Sequence, residues 1–217
     1  MYEYINRLKT YFKDRYNKEI IVTTPNADFE TAILRTVKKS KTEARNGQSI
    51  GIPTPSDEGI CHLRRTLKLS PFDSWISKNK IKEYKTYIGF TNEEKNRVGK
   101  DENAIYPLIE YFNMSEYDCK AYLINQDMEN LLYRHFTRTG CGLCPFKSER
   151  DWFNTYKYYP EMFKLGKEIE EKLSNQKEYK FFHKMKPLSY HEKKFKRHDA
   201  VLFDFDDEPA RDCFCKI

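Results

Sequence analysis

The sequence contains no apolar run near the roughly 20 residues a membrane-spanning helix needs, and no apolar segment after Met1 of the kind that opens a secretory leader. A soluble, cytoplasmic protein is therefore the expectation, with no membrane among its partners. Internal repeats and low-complexity tracts are also missing, which argues against a solenoid or a long disordered linker. Tryptophan is scarce at 2 residues, but 16 Tyr and 15 Phe supply ample material for a core. A chain of 217 residues suits one domain, or one domain with an appendage. The mean hydropathy of −0.86 implies a heavily charged surface around that core.

Six cysteines are present. In a reducing cytosol their spacing favours a metal or catalysis over disulfides. The densest stretch is Thr139-Gly140-Cys141-Gly142-Leu143-Cys144-Pro145-Phe146. Two cysteines separated by two residues can aim both sulfurs at one metal, although redox dithiols share the spacing and buried packed thiols remain the plain alternative. Cys61 upstream and Cys213 and Cys215 near the end could complete a tetrahedral sulfur site. Cys119 reads as a packed thiol.

The net charge of +6 is concentrated in one place: residues 177–198 hold eight Lys/Arg against two Glu, and the rest of the chain balances. Tyr179, Phe181, Phe182, Tyr190 and Phe195 thread this basic stretch. Such a segment could meet phosphate on a nucleotide or a nucleic acid, or could be a solvated arm that packs its aromatics on the domain.

Read in order, Tyr4, Ile5, Leu8, Tyr11 and Phe12 predict an amphipathic helix over 2–16. Glu19–Thr24 reads as a short buried parallel strand, and Phe29, Ala32, Ile33 and Val37 as a second helix. A Gly/Pro-rich loop over 40–56 follows. Cys61 then precedes a helical stretch in which Arg64, Arg65 and Lys68 gather positive charge, suited to an anionic substrate, to a thiolate centre, or to an ordinary exposed face. Phe72, Trp75 and Ile76 read as core contacts. Tyr84–Phe90 reads as a strand ending at Gly89, and Ala104–Leu108 as an extended segment that Pro107 confines to an edge or strand end. Glu94 and Arg97, three apart after the first of these, suit a surface ion pair or a site wall beyond a strand's carboxyl end. Ser115 with Asp118 predicts an N-cap for a helix over 116–125. Ser148 with Asp151 opens another helix, and Pro160 opens a third.

Taken together, these stretches resemble the phosphoadenosine phosphosulfate (PAPS) reductase family of adenine-nucleotide α-hydrolase-like, or PP-loop, proteins. Cys61 with Lys68 and Pro71 is similar to that family's C-(x)n-K-x-x-P element. Gly89, Glu94 and Arg97 resemble its G-x4-E-x-x-R turn, and Asn103 to Tyr111 its PL-x-x-W segment. Gly140 to Phe146, with Trp152 and Pro160-Glu161, resembles the C-x-x-C-P-F…W…P-E run of its cluster-bearing members. The resemblance covers about residues 2 to 174. It implies an α/β fold: a parallel-sheet PP-loop core missing its first β-α unit over 1–112, and a helical Cys-rich half with a basic aromatic arm over 113–217, together one structural domain.

The family's phosphate-cradling S-G-G-K-D-S loop does not occur in the sequence. The resemblance therefore implies a protein of nucleotide-linked sulfur metabolism or sulfur transfer that handles adenine nucleotide or a PAPS-like substrate only with a second chain supplying that loop, and that is inactive alone. Arg64, Arg65, Lys68, Glu94 and Arg97 are the implied substrate- and phosphate-binding residues. Cys61, Cys141, Cys144 and Cys213, with Cys215 as the alternative fourth ligand, are the implied metal ligands, for a 4Fe–4S cluster or alternatively Zn2+. No catalytic residue is assigned: Cys213 or Cys215 could act as a nucleophile, but Asp207, Glu208 and Asp212 would oppose the thiolate. The alternatives are a nucleic-acid sulfur-modification component that uses 177–198, and a non-catalytic, metal-stabilised remnant or partner subunit.

Overall fold

A computed structural model describes residues 2–39, 45–53, 61–136, 140–176, 181–183 and 186–198. The architecture is mixed and helix-rich, with one small two-stranded parallel sheet. No helix among the described residues is long and apolar enough to cross a membrane. The described residues divide into two compact units, one within 1–23 and 72–132, the other within 24–71 and 133–198. The boundary expected near residue 112 lies inside the first of these.

In the first unit, α1 (Tyr2–Tyr16) has Glu3 in its first turn and Lys13 and Arg15 in its last, each placed to offset the helix dipole. Asn17 ends it at φ 51°, a left-handed conformation asparagine tolerates. The expected buried strand over Glu19–Thr24 does not form: the segment pairs with no described strand, and Ile21 and Val22 are exposed. β-branched residues favour a pleated surface only where a neighbour is there to pack against them.

The sheet consists of β1 (Thr86–Tyr87) and β2 (Ala104–Ile105), parallel, with Thr86 opposite Ala104 and Tyr87 opposite Ile105. The Thr86 N–H donates to Asn103 O at 2.8 Å and the Ile88 N–H to Ile105 O at 2.8 Å. Both strands are shorter than the sequence suggests. Pro107 does not end an extended run; it opens α5 (Pro107–Glu110) at a first-turn position, where its missing N–H costs nothing. The helix expected over 116–125 is α6 (Glu116–Asn125), started by the Ser115/Asp118 capping box. Phe90, Tyr106 and Met128 are buried in this unit, and the Phe90 and Tyr106 rings stack at 5.7 Å.

In the second unit, Asp28 caps α2 (Phe29–Leu34) by accepting the Thr31 N–H at 2.7 Å. The helix stops short of Val37, whose N–H is taken by Gln48 O at 2.8 Å beside an antiparallel bridge between Thr36 and Ser49. After Cys61 come α3 (His62–Arg64), a π-helical turn (Arg65–Leu69) and the start of α4 (Ser70–Lys78), which from Phe72 onward belongs to the first unit. Phe72, Trp75 and Ile76 are only half-buried on α4. The last three helices among the described residues are α7 (Glu149–Tyr158), capped by Ser148 as expected, α8 (Pro160–Leu173), and α9 (Leu188–His198).

Trp152, Phe163, Ile169, Leu173, Phe182, Leu188 and Phe195 join Ile33, Leu63 and Leu143 in one buried apolar cluster. Phe182 and Phe195, from the basic stretch, are thus core residues and not exposed stacking surfaces. Glu170 fixes that stretch from beneath: its buried carboxylate accepts the Phe182 N–H at 2.9 Å and the Leu188 N–H at 2.7 Å. Burial pushes its pKa up to about 7, against the lowering effect of those two hydrogen bonds.

Candidate functional site

The cysteine knuckle is a tight turn docked on the core. The Cys144 N–H donates to Cys141 O at 3.1 Å, and the Lys147 N–H to Cys144 O at 3.2 Å. Both sulfur-bearing residues are half-buried, while Leu143 between them is 3% exposed and belongs to the apolar cluster. Cys61, also half-buried, packs against the same cluster. Cys61, Cys141 and Cys144 therefore lie in one unit on one core, and no described cysteine is in a disulfide.

Cys119 lies on α6 in the first unit, where burial, with Asp118, Glu93 and Glu116 nearby, pushes its thiol pKa up. That environment suits an inert packed thiol. Cys213 and Cys215 lie outside the described residues.

A side chain that the sequence did not single out organises the knuckle. The Lys147 ammonium donates to Gly142 O at 2.6 Å and to Thr155 Oγ1 at 2.8 Å, and lies 4.7 Å from the Phe136 ring centre and 5.5 Å from that of Trp152. Thr155 in turn donates to Asp151 O at 2.7 Å. Burial lowers the lysine pKa to about 8, while Asp151 and then Cys144 and Cys141 favour its charged form. Its position three residues after Cys144 was the only hint of this role.

Around a single zinc, Zn–S bonds of about 2.3 Å hold thiolates roughly 3.8 Å apart. No three described cysteine sulfurs lie within 4.8 Å of one another.

The expected anion-binding residues fall into two groups in different units. Arg64 is half-buried and Arg65 and Lys68 are exposed on the helical stretch after Cys61. In the first unit, Thr91 and Glu94 form a capping box at the 3₁₀ turn Asn92–Arg97, just past β1. Arg97 is ion-paired with Glu94, as their spacing suggested, and its guanidinium lies 4.4 Å from the Phe90 ring centre. Both side chains are about a quarter exposed, at 23% for Arg97 and 25% for Glu94.

One further constellation had no motif to announce it. Glu149 at the start of α7, His183 and His191 on α9 are all buried, and one ligand atom from each lies within 4.8 Å of the others. The residues are 34 and eight positions apart in sequence. Two histidines inside a lysine-rich stretch were the available sign.

No protein-family profile, curated protein or solved structure matches the chain.

Proposed function

We propose that the chain is a PAPS reductase-like component of nucleotide-linked sulfur chemistry, built around a thiolate-ligated iron–sulfur centre. The observation that carries this reading is the half-buried Lys147 ammonium, clamped to the backbone between Cys141 and Cys144 on the core against which Cys61 also packs. A partly desolvated cation there offsets negative charge, and four thiolates around a cluster bring such charge. Cys61, Cys141 and Cys144 would hold the cluster with Cys213, or Cys215 in its place.

When bound, the cluster would supply one-electron transfer. The protein's own residues do the remaining work. Arg64, Arg65 and Lys68 bind the anionic part of a nucleotide or sulfate. Glu94 positions the Arg97 guanidinium at the carboxyl end of β1, where ligands bind in open parallel sheets. The short β1/β2 pair is, on this reading, part of a PP-loop core whose phosphate loop a second chain supplies. Adenine nucleotide then binds only to the pair of chains, in the cytoplasm.

Anaerobic purification or reconstitution with iron and sulfide tests the reading. The expected product is brown, with visible absorption, about four irons per chain, and loss of iron in C141S/C144S. Colourless protein that retains no iron after reconstitution would overturn it.

A second reading, a nucleic-acid sulfur-modification component, is favoured by the face of α9 that exposes Tyr190, Lys193, Lys196 and Arg197, with Lys186 just before it. Binding to DNA or RNA that weakens steeply with salt would support it.

A further inference from the structure

Glu149, His183 and His191 converge in the interior, at 5%, 3% and 4% exposure. Three separate local devices bring them there. Glu149 occupies the first position of α7, set by the Ser148 cap. His183 is fixed by an antiparallel bridge to Lys186. His191 lies in the first turns of α9, where its N–H reaches Pro187 O at 3.3 Å.

The imidazole rings sit edge to face with centres 4.6 Å apart. Trp152 borders His183 at 6.4 Å and Phe195 borders His191 at 6.1 Å, so the surroundings are apolar. Lys194, ion-paired with Glu149 at Oε1, is the cation facing the group.

We infer that Glu149, His183 and His191 form a divalent-metal site of the His2Glu type, with zinc as its natural occupant, separate from the cysteines. Two imidazoles and one carboxylate are the donors that borderline divalent ions prefer, and three protein ligands leave a fourth position for water. Zn–N and Zn–O bonds of about 2.0–2.2 Å hold ligand atoms roughly 3.4 Å apart. Small side-chain rotations would bring the three atoms from within 4.8 Å to that spacing. Lys194 on Oε1 leaves the second carboxylate oxygen for the ion and acts as an outer partner that orients Glu149. The ion would staple His183 and α9 to α7, so binding adds to folding stability.

The test uses the full chain, stripped with a chelator and titrated with Co2+, then Zn2+, alongside Glu149→Gln and His191→Asn. Both variants are near-isosteric, and circular dichroism checks their helix content. The expected result is one cobalt equivalent with ligand-field bands but no sulfur-to-cobalt charge transfer. Zinc should displace it and raise the melting temperature. Each variant should weaken binding by more than the roughly 10–100-fold that loss of an outer partner costs, while any sulfur-bound cobalt stays unchanged. The inference is overturned if no thiolate-free bands appear, or if E149Q binds cobalt as the parent does, which would leave the three residues as a buried hydrogen-bonding cluster.

Discussion

The two units use aromatic residues in opposite ways. In the second, Trp152, Phe182 and Phe195 are at most 1% exposed and lock three helices and the knuckle onto one core. In the first, Tyr111, Phe112, Tyr117 and Tyr122 are between 53% and 79% exposed, and only Phe90, Tyr106 and Met128 are buried among the described apolar residues. The second unit is therefore held by packing. The first relies more on individual polar devices: the α6 capping box, the β1/β2 pair, and long-range bonds such as Tyr4 Oη to Met128 O at 3.1 Å. Buried chemistry needs positional rigidity, and both constellations described above lie in the unit that has it.

The largest effect expected from this contrast follows Trp152→Ala. Deleting a fully buried indole should cost about 3–5 kcal/mol, read by chemical denaturation. A loss below about 0.5 kcal/mol, the scale of an ordinary surface change, would break the comparison.

Glu170 sharpens it further. Below its ordinary pKa of 4.5 the carboxyl is protonated in both folded and unfolded chains. As pH rises from there to about 7 the unfolded carboxyl ionises first, so stability falls with pH across that window and then levels off. The drop should be on the order of 3 kcal/mol, and Glu170→Gln should abolish it. Denaturation midpoints measured at several pH values decide the matter; an unchanged slope in E170Q would remove Glu170 as the cause.

The smallest effect concerns the first unit. Ser115→Ala removes the cap of α6 and should cost about 1 kcal/mol, with faster amide exchange at the start of α6. Unchanged exchange there would mean that packing, not capping, holds the helix.

Local signals in the sequence were legible where a single side chain decides the outcome. The spacing of Tyr4, Leu8 and Tyr11 marks α1, Ser115 and Ser148 mark two helix starts, and Pro160 marks a third. Glu19–Thr24 misled because strand preference depends on a partner strand that residue types cannot supply. Of the site, the knuckle was visible as a motif, whereas Lys147 gained its role through Thr155, well into the second turn of α7. Glu149, His183 and His191 meet only after α7, α8 and α9 have packed, so no local pattern encodes them.

Gly166 on α8 has one consequence that reaches both constellations. A methyl group there would come within 2.8 Å of Leu188 Cδ1 and 3.1 Å of Leu143 Cδ2. The backbone of α8 is thus the shared bearing surface for the hairpin of cysteines and for the helix that carries His191. One added carbon would push on both at once, and whatever sulfur and imidazole do in this protein, they are mechanically tied through a single hydrogen-sized gap.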